Sequence, residues 1–355
     1  MSTSRIRLTH DAYRVGWISA LPLEMAAAIA MLDASHAPLP QPKADRNTYH
    51  LGEIGSHNVV IACLPSGIYG LTSAAVVAQQ MLSTFPSIDI GLMVGIGGGV
   101  PSATVDVRLG DVVVSKPTGL FSGVIQYDYG KTMADGSFHR TGSLNNPPES
   151  LLTAISDLQA KHLVGDNNIA RHLENAAKAR PSMRASLTYP GTSDDVLFEP
   201  SYVHETDQPS CASCDKSKVI TRAPRNSTMP SIHYGVIASA NQVMKDALTR
   251  DRFATDLGIL CFEMEAAGLM NHFPCLVIRG VCDYSDSHKN KQWQDYAAAA
   301  AAAYARELLQ SSIRTTATPA RTNDVVKIRS KIPVSKSAFF VRREAWWNSI
   351  LNKYP

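Results

Sequence analysis

Two short segments near the end of the chain restrict its fold more than any other feature. Leu260-Cys-Phe-Glu-Met-Glu-Ala-Ala267 sets two carboxylates, Glu263 and Glu265, in an otherwise apolar run. Leu276-Val-Ile-Arg-Gly-Val-Cys-Asp283 reads as a β-branched strand that stops on an acid before the turn-like Tyr284-Ser-Asp-Ser287. In open α/β sheets, ligands sit outside the carboxyl ends of the strands, so Asp283 is a site candidate and the carboxylates of the first segment could reach the same crevice. The competing reading is that Glu263 and Glu265 merely open a helix, where negative charge suits the dipole.

The rest of the chain supplies the sheet. Residues 13–19 read as a strand and 23–32 as a helix entered through Pro22, a favoured first-turn residue. Residues 49–54 and 58–63 read as two strands joined at Gly55, followed by a helix over 71–84. Residues 88–94 form a near-continuous apolar strand of the kind buried on both faces, and 110–115 another. Helices are predicted over 150–161, 169–180 and 292–311, the last rich in alanine. This order argues for a single three-layer α/β/α domain with a mixed central sheet. Its expected limits are 13–313, with a Pro/Ser/Asp/Cys-rich surface insertion at 190–230 that is too long for an ordinary connection. Residues 314–355 read as a basic linker and an aromatic tail.

Composition narrows the class. A chain that is 45% hydrophobic and 18% charged is globular, and no apolar stretch approaches the ~20 residues that span a bilayer. The first thirteen residues are polar and unlike a signal peptide. The net charge of +3 is uneven: nine Lys/Arg against Asp324 and Glu344 put +7 on the residues from Arg314 onward, leaving −4 on the body. The body therefore offers no basic face to nucleic acid. Most of the six cysteines lie in apolar runs, as reduced thiols of a cytoplasmic protein would. Cys211-Ala-Ser-Cys214 is a lone C-x-x-C in a polar loop. A zinc site wants a second pair of ligands at comparable spacing, and none follows, although His204 or His233 could be recruited. No metal is expected, and His139, His204, His233 and His288 read as surface or packing residues. Trp17 and Trp293 read as core.

Three strand exits carry glycine or acid. Gly95-Ile-Gly-Gly-Gly-Val100 follows the buried strand but fails the dinucleotide fingerprint at Val100, and no Gly-Lys-Ser/Thr follows to make a phosphate loop. The backbone must come close to something there, either a packed helix or a sugar with its attacking water. Ser66-Gly-Ile-Tyr-Gly70 is a second glycine turn. Ser19-Ala-Leu-Pro-Leu-Glu24 is a third crossing, and places Glu24 at the carboxyl end of the sheet.

The order of these segments, with Leu109-Gly-Asp-Val-Val-Val-Ser115, Tyr127-Asp-Tyr-Gly130, Phe262-Glu-Met-Glu-Ala266 and Cys282-Asp283, resembles the nucleoside phosphorylase superfamily. It is nearest to the methylthioadenosine/adenosylhomocysteine nucleosidases and to the fungal purine nucleoside hydrolases. The resemblance spans residues 13–310 except the insertion. It implies hydrolysis of the N-glycosidic bond of purine ribonucleosides, without cofactor or metal, by a homodimer. Asp283 matches the acid at purine N7, Glu24 the base that activates water, and Glu265 the carboxylate that holds the ribose hydroxyls. Met264 matches the residue under the sugar, and Glu263, Gly97 and Ser66 belong to the matched substrate-binding segments. Asn241 and Val243 lie in the base-holding segment Ser239-Ala-Asn-Gln-Val-Met244, and Ile125 matches a residue that reaches a neighbouring subunit's pocket. A donor to N7 needs a raised pKa, which burial provides. Carboxylates also favour the ribosyl oxocarbenium ion by charge.

Two departures qualify the resemblance. The first strand-to-helix loop lacks the arginine with which phosphorylases hold phosphate, which favours hydrolysis. Val243 stands where adenine-specific nucleosidases carry an aromatic residue, which leaves the preferred base open. Two alternatives remain: a phosphorylase that draws on Arg108 or Arg279, and a nucleoside-sensing module of a receptor-type NTPase.

Overall fold

The computed structural model describes residues 5–205 and 210–313. The aromatic tail and basic linker expected beyond 313 lie outside the described residues. The strands, in chain order, are β1 (Val15–Ser19), β2 (Ala34–Ser35), β3 (Tyr49–Ile54), β4 (His57–Cys63), β5 (Ile90–Gly99), β6 (Val112–Ser115) and β7 (Val124–Gln126), then β8 (Gly130–Thr132), β9 (Phe138–Arg140), β10 (Ile232–Ser239), β11 (Ile259–Glu263) and β12 (Cys275–Asp283). The helices are α1 (Pro22–Ala30), α2 (Leu71–Thr84), α3 (Glu149–Leu163), α4 (Ile169–Ala179), α5 (Ala247–Leu257) and α6 (Gln294–Ser311). The predicted mixed α/β architecture is what the chain adopts.

The main sheet runs β11-β10-β6-β12-β5-β1-β4-β3-β2, with β7 beside β10. Its centre is parallel, as the two-sided burial of β1, β5 and β12 requires, while β6–β12 and the β3–β4 hairpin are antiparallel. β8 and β9 form a separate hairpin. The end of β5 also pairs antiparallel with β11, through Gly98↔Phe262 and Gly99↔Cys261. The sheet thus closes on itself around β5, β12, β6, β10 and β11.

That closure explains the longer β5. The apolar run predicts a strand ending near Val94, but β5 continues through Gly95 to Gly99, held by β12 on one edge and β11 on the other. The glycines are therefore sheet, not a phosphate-gripping turn.

Helix α6 explains how the core closes over β12. Its seven consecutive alanines, 297–303, are all buried. Small side chains let the helix axis come close, and a Cβ at Gly280 of β12 would collide with the backbone of Ala297. Helices α1, α3 and α4 pack around α6, so a helix apolar on all sides is covered on all sides. Trp17 and Trp293 are fully buried, as read from sequence. No described helix is long and apolar enough to cross a membrane.

Candidate active site

A cavity of about 220 Å³ opens where β1, β5, β11 and β12 end. Its wall includes Glu24, Gly97, Gly98, Val243, Glu263, Met264, Glu265 and Lys289.

Glu24 reaches the cavity because Pro22 starts α1 directly after β1. The carboxylate folds back over the helix start, where Oε2 accepts the N–H groups of Ala20 (2.6 Å) and Leu21 (2.9 Å). Its other oxygen accepts the N–H of Ile96 in β5 (2.8 Å). Burial raises the pKa of Glu24, and the nearby Arg279 and these three donors oppose that rise. A Cβ at Gly95 would strike the Glu24 carboxylate, and one at Gly97 would strike Cys261. The glycine run thus exists so that functional side chains can lie flat against β5.

Glu263 and Glu265 leave β11 pointing inward. Glu263 accepts the N–H groups of Glu265 (3.1 Å) and Ala266 (3.0 Å), so it does open a helical turn, though only the single turn Ala266–Gly268. It is also ion-paired to Arg279, whose Nη2 lies 3.3 Å from Glu265 Oε2. Arg279 stands mid-way along β12, 1% exposed, and Nη1 donates to the Ile96 carbonyl (3.3 Å). Burial disfavours its charge, but Glu263, Glu265 and Glu24 hold it ionised. Burial raises the pKa of Glu265 to about 7, against the pull of Arg279. The carboxylates and the guanidinium thus form one buried network in which each charge depends on the others.

Asp283 is placed by a bulge. β12 pairs Val281 with Gly97 and then Asp283 with Gly98, so Cys282 is skipped and the acid is re-aimed. Its Oδ1 accepts the Ser285 N–H (2.9 Å), and Lys289 Nζ lies 2.7 Å from Oδ2. A Cβ at Gly98 would meet both Ser285 Oγ and Asp283 Oδ1. Asp283 itself sits just behind the wall, which Cys282, Ser285 and Lys289 form at this point, and it borders a neighbouring hollow with Cys211, Asp286 and His288. The acid at the end of β12 is thus ion-paired with a cation from the turn that follows it.

Other sequence-named residues divide. Met264, Gly97 and Val243 line the cavity, Val243 being 48% exposed. Asn241 does not, because its Oδ1 accepts the Leu71 N–H (3.0 Å) at the start of α2. The amides on the wall are its neighbour Gln242 and Gln294 of α6. Ser66 is exposed in the loop before α2, whereas Tyr69 of the same loop reaches the cavity. Ile125 is buried on β7 beside a separate hollow lined by Phe121, Tyr129 and Arg140. Sequence reasoning missed Tyr69, Gln242 and Lys289. For Lys289 one signal existed, a cation in the turn that follows a strand-end acid.

The two arginines weighed as phosphate ligands are committed elsewhere. Arg108 pairs with Asp106 (2.7 Å) and the Ala223 carbonyl (2.6 Å), and Arg279 with the glutamates. The 190–230 segment packs against this end of the sheet, where Arg222 joins Asp195 (2.9 Å) and the Tyr284 hydroxyl (2.8 Å).

Comparison with known proteins places this arrangement. Over 348 residues the chain is 47% identical to a nucleotide-binding leucine-rich repeat (NLR)-like protein of Hyaloscypha variabilis, covering 98% of this chain and 34% of that one. The chain thus spans about a third of the length of that relative. The 5′-methylthioadenosine/S-adenosylhomocysteine nucleosidase of Neisseria meningitidis, solved with methylthio-immucillin-A, is 18% identical at a TM-score of 0.51, covering 84% of this chain and 99% of that one. Futalosine hydrolase of Helicobacter pylori is 16% identical at a TM-score of 0.51, covering 85% and 99%. At such identities the likeness is one of fold. A family model described as the phosphorylase superfamily matches residues 14–314. The match runs from β1 to the end of α6, so this chain belongs to the phosphorylase superfamily.

Proposed function

We propose that the domain, residues 13–313, hydrolyses the N-glycosidic bond of purine ribonucleosides to free base and ribose. The observation that carries this reading is the charge of the cavity. Its wall holds Glu24, Glu263 and Glu265, and the one cation among the described lining residues, Lys289, is paired with Asp283. A phosphate dianion there would meet carboxylates without a free cation, at a cost of several kcal/mol. Water carries no such penalty.

In this reading Glu24 takes a proton from water as its oxygen attacks C1′. The C1′–N9 bond breaks, and its electron pair leaves with the purine. Asp283 and Lys289 hold a proton between them and pass it to N7, so that the base departs neutral. Glu265 accepts hydrogen bonds from the ribose 2′- and 3′-hydroxyls, with Met264 beneath the sugar. Gln242, with both a donor and an acceptor, suits a 6-oxo or a 6-amino purine. The anionic wall favours the developing oxocarbenium ion.

Product analysis with adenosine and inosine, with and without phosphate, tests the reaction. Free ribose at an unchanged rate in both buffers is expected. Ribose 1-phosphate formed only with phosphate would make the chain a phosphorylase. Binding without turnover in either buffer would favour a sensing module, the reading to which the NLR-like relative lends weight.

The pH profile tests the role of Glu265. Only its ionised form accepts both hydroxyl protons, and burial sets its pKa near 7. The value of kcat/KM should therefore fall as pH drops through about 7 and level off above it. Glu265→Gln should lower the plateau by two to three orders of magnitude, as roughly 3–4 kcal/mol of lost transition-state stabilisation implies, and flatten that acidic limb. An unchanged limb in the variant would assign the titration to another group.

A further inference from the structure

The sequence offers Cys211 and Cys214 no second ligand pair at zinc spacing, but folding brings them two histidines. His204, Cys211, Cys214 and His288 present ligand atoms that all lie within 4.8 Å of one another. Cys211 and Cys214 flank a single helical turn, so both thiols face one way. His288 belongs to the turn after β12, and His204 to the segment ahead of the cysteines. His204 is the nearby recruit that the sequence allows; His288, read as a packing residue, faces both thiols from 77 and 74 residues away, a separation at which no local spacing could reveal it.

We propose that these four side chains bind one structural zinc ion. With Zn–S near 2.3 Å and Zn–N near 2.0–2.1 Å, a tetrahedral site has edges of roughly 3.3–3.8 Å. His288 Nδ1 already lies 3.6 Å from Cys211 Sγ and 3.7 Å from Cys214 Sγ. Its other nitrogen, Nε2, faces the Tyr202 carbonyl at 3.0 Å. That contact places the proton on Nε2 and leaves the Nδ1 lone pair aimed at the thiols, the usual outer-shell device of a metal-bound imidazole. Phe198 stacks on the His288 ring at 4.0 Å and fixes its plane. Two thiols and two imidazoles in tetrahedral reach select zinc over the hard cations, which prefer oxygen.

The site has a purpose in the fold. The 190–230 segment has no α-helix or long strand among its described residues, and a metal would cross-link it to the turn that follows β12. His288 adjoins Lys289, the partner of Asp283, so zinc would also hold that ion pair in register.

The test uses the full chain, purified under reductant and exchanged into metal-free buffer with zinc added and then removed by desalting. Metal analysis should find about one zinc per chain. Cobalt(II) in its place should give the intense thiolate-to-metal absorption and the visible bands of a tetrahedral site. Cys214→Ser and His204→Ala should each cut retained metal at least tenfold, while Cys63→Ser, outside the cluster, should not. Zinc should raise the melting temperature of the parent chain and not that of Cys214→Ser. A reduced parent chain that retains under a tenth of an equivalent would overturn the proposal, whatever the variants do. So would a cobalt spectrum without the thiolate band, or a Cys211–Cys214 disulfide that, once reduced, takes up no metal.

Discussion

Arg279→Met should lower the free energy of unfolding by about 3–5 kcal/mol near neutral pH and abolish turnover. Methionine fills much of the same volume, so the loss is electrostatic rather than a cavity effect. Arg279 is the buried counter-charge to Glu263 and Glu265, and it also faces Glu24. Without it these carboxylates either stay ionised and unpaired or take up protons. The folded-state pKa values of Glu24 and Glu265, already raised by burial and held down by Arg279, would then rise further above the unfolded ones. The stability held by a group with a raised carboxyl pKa is present below the unfolded value and is lost as pH climbs through the folded one. The defect should therefore be small near about pH 5 and large near about pH 8. Urea denaturation of parent and variant at both values reads this directly. A deficit below about 1 kcal/mol at the higher pH would mean that the network carries little of the fold's electrostatics.

Glu24→Gln should reduce kcat by two to four orders of magnitude with KM close to the parental value, the range that loss of a general base gives. Three backbone N–H groups converge on this carboxylate, on both oxygens. An amide offers one acceptor oxygen, and its NH₂ would face a donor on the other side. The variant should therefore also lose about 1–3 kcal/mol of stability. Rates must be taken at a temperature where circular dichroism shows it folded. A folded Glu24→Gln that keeps kcat within about tenfold would remove Glu24 from the chemistry, because an amide cannot accept the proton from water.

Local signals were strongest where one residue type dictates one geometry. Leu71–Thr84, Ile169–Ala179 and Gln294–Ser311 stand close to their predicted limits, because apolar period and start signals act within a few residues. The acids Glu24, Glu263, Glu265 and Asp283 stood out because a carboxylate in an apolar run demands a partner. The identity of that partner was not legible. Arg279 reads in sequence as a strand residue or, in the phosphorylase alternative, a phosphate ligand, and only the pairing of β12 with β5 sets it beneath the glutamates.

What the chain determined by itself was strands β1, β3, β4, β5, β6 and β12, helices α1 to α4 and α6, and the strand ends that bear acids. Those follow from side-chain period and from the few residue types that begin or end an element. What only the tertiary structure decided was which groups meet. The closure of β5 against β11 turned a glycine run into a seat for Glu24 and Asp283. The bulge at Cys282 turned Asp283 toward Lys289. The long excursion before β10 carried two thiols to His288. Each of these joins segments far apart in sequence, and its energy comes from burying charge and polar groups against partners that exist only once the sheet has closed.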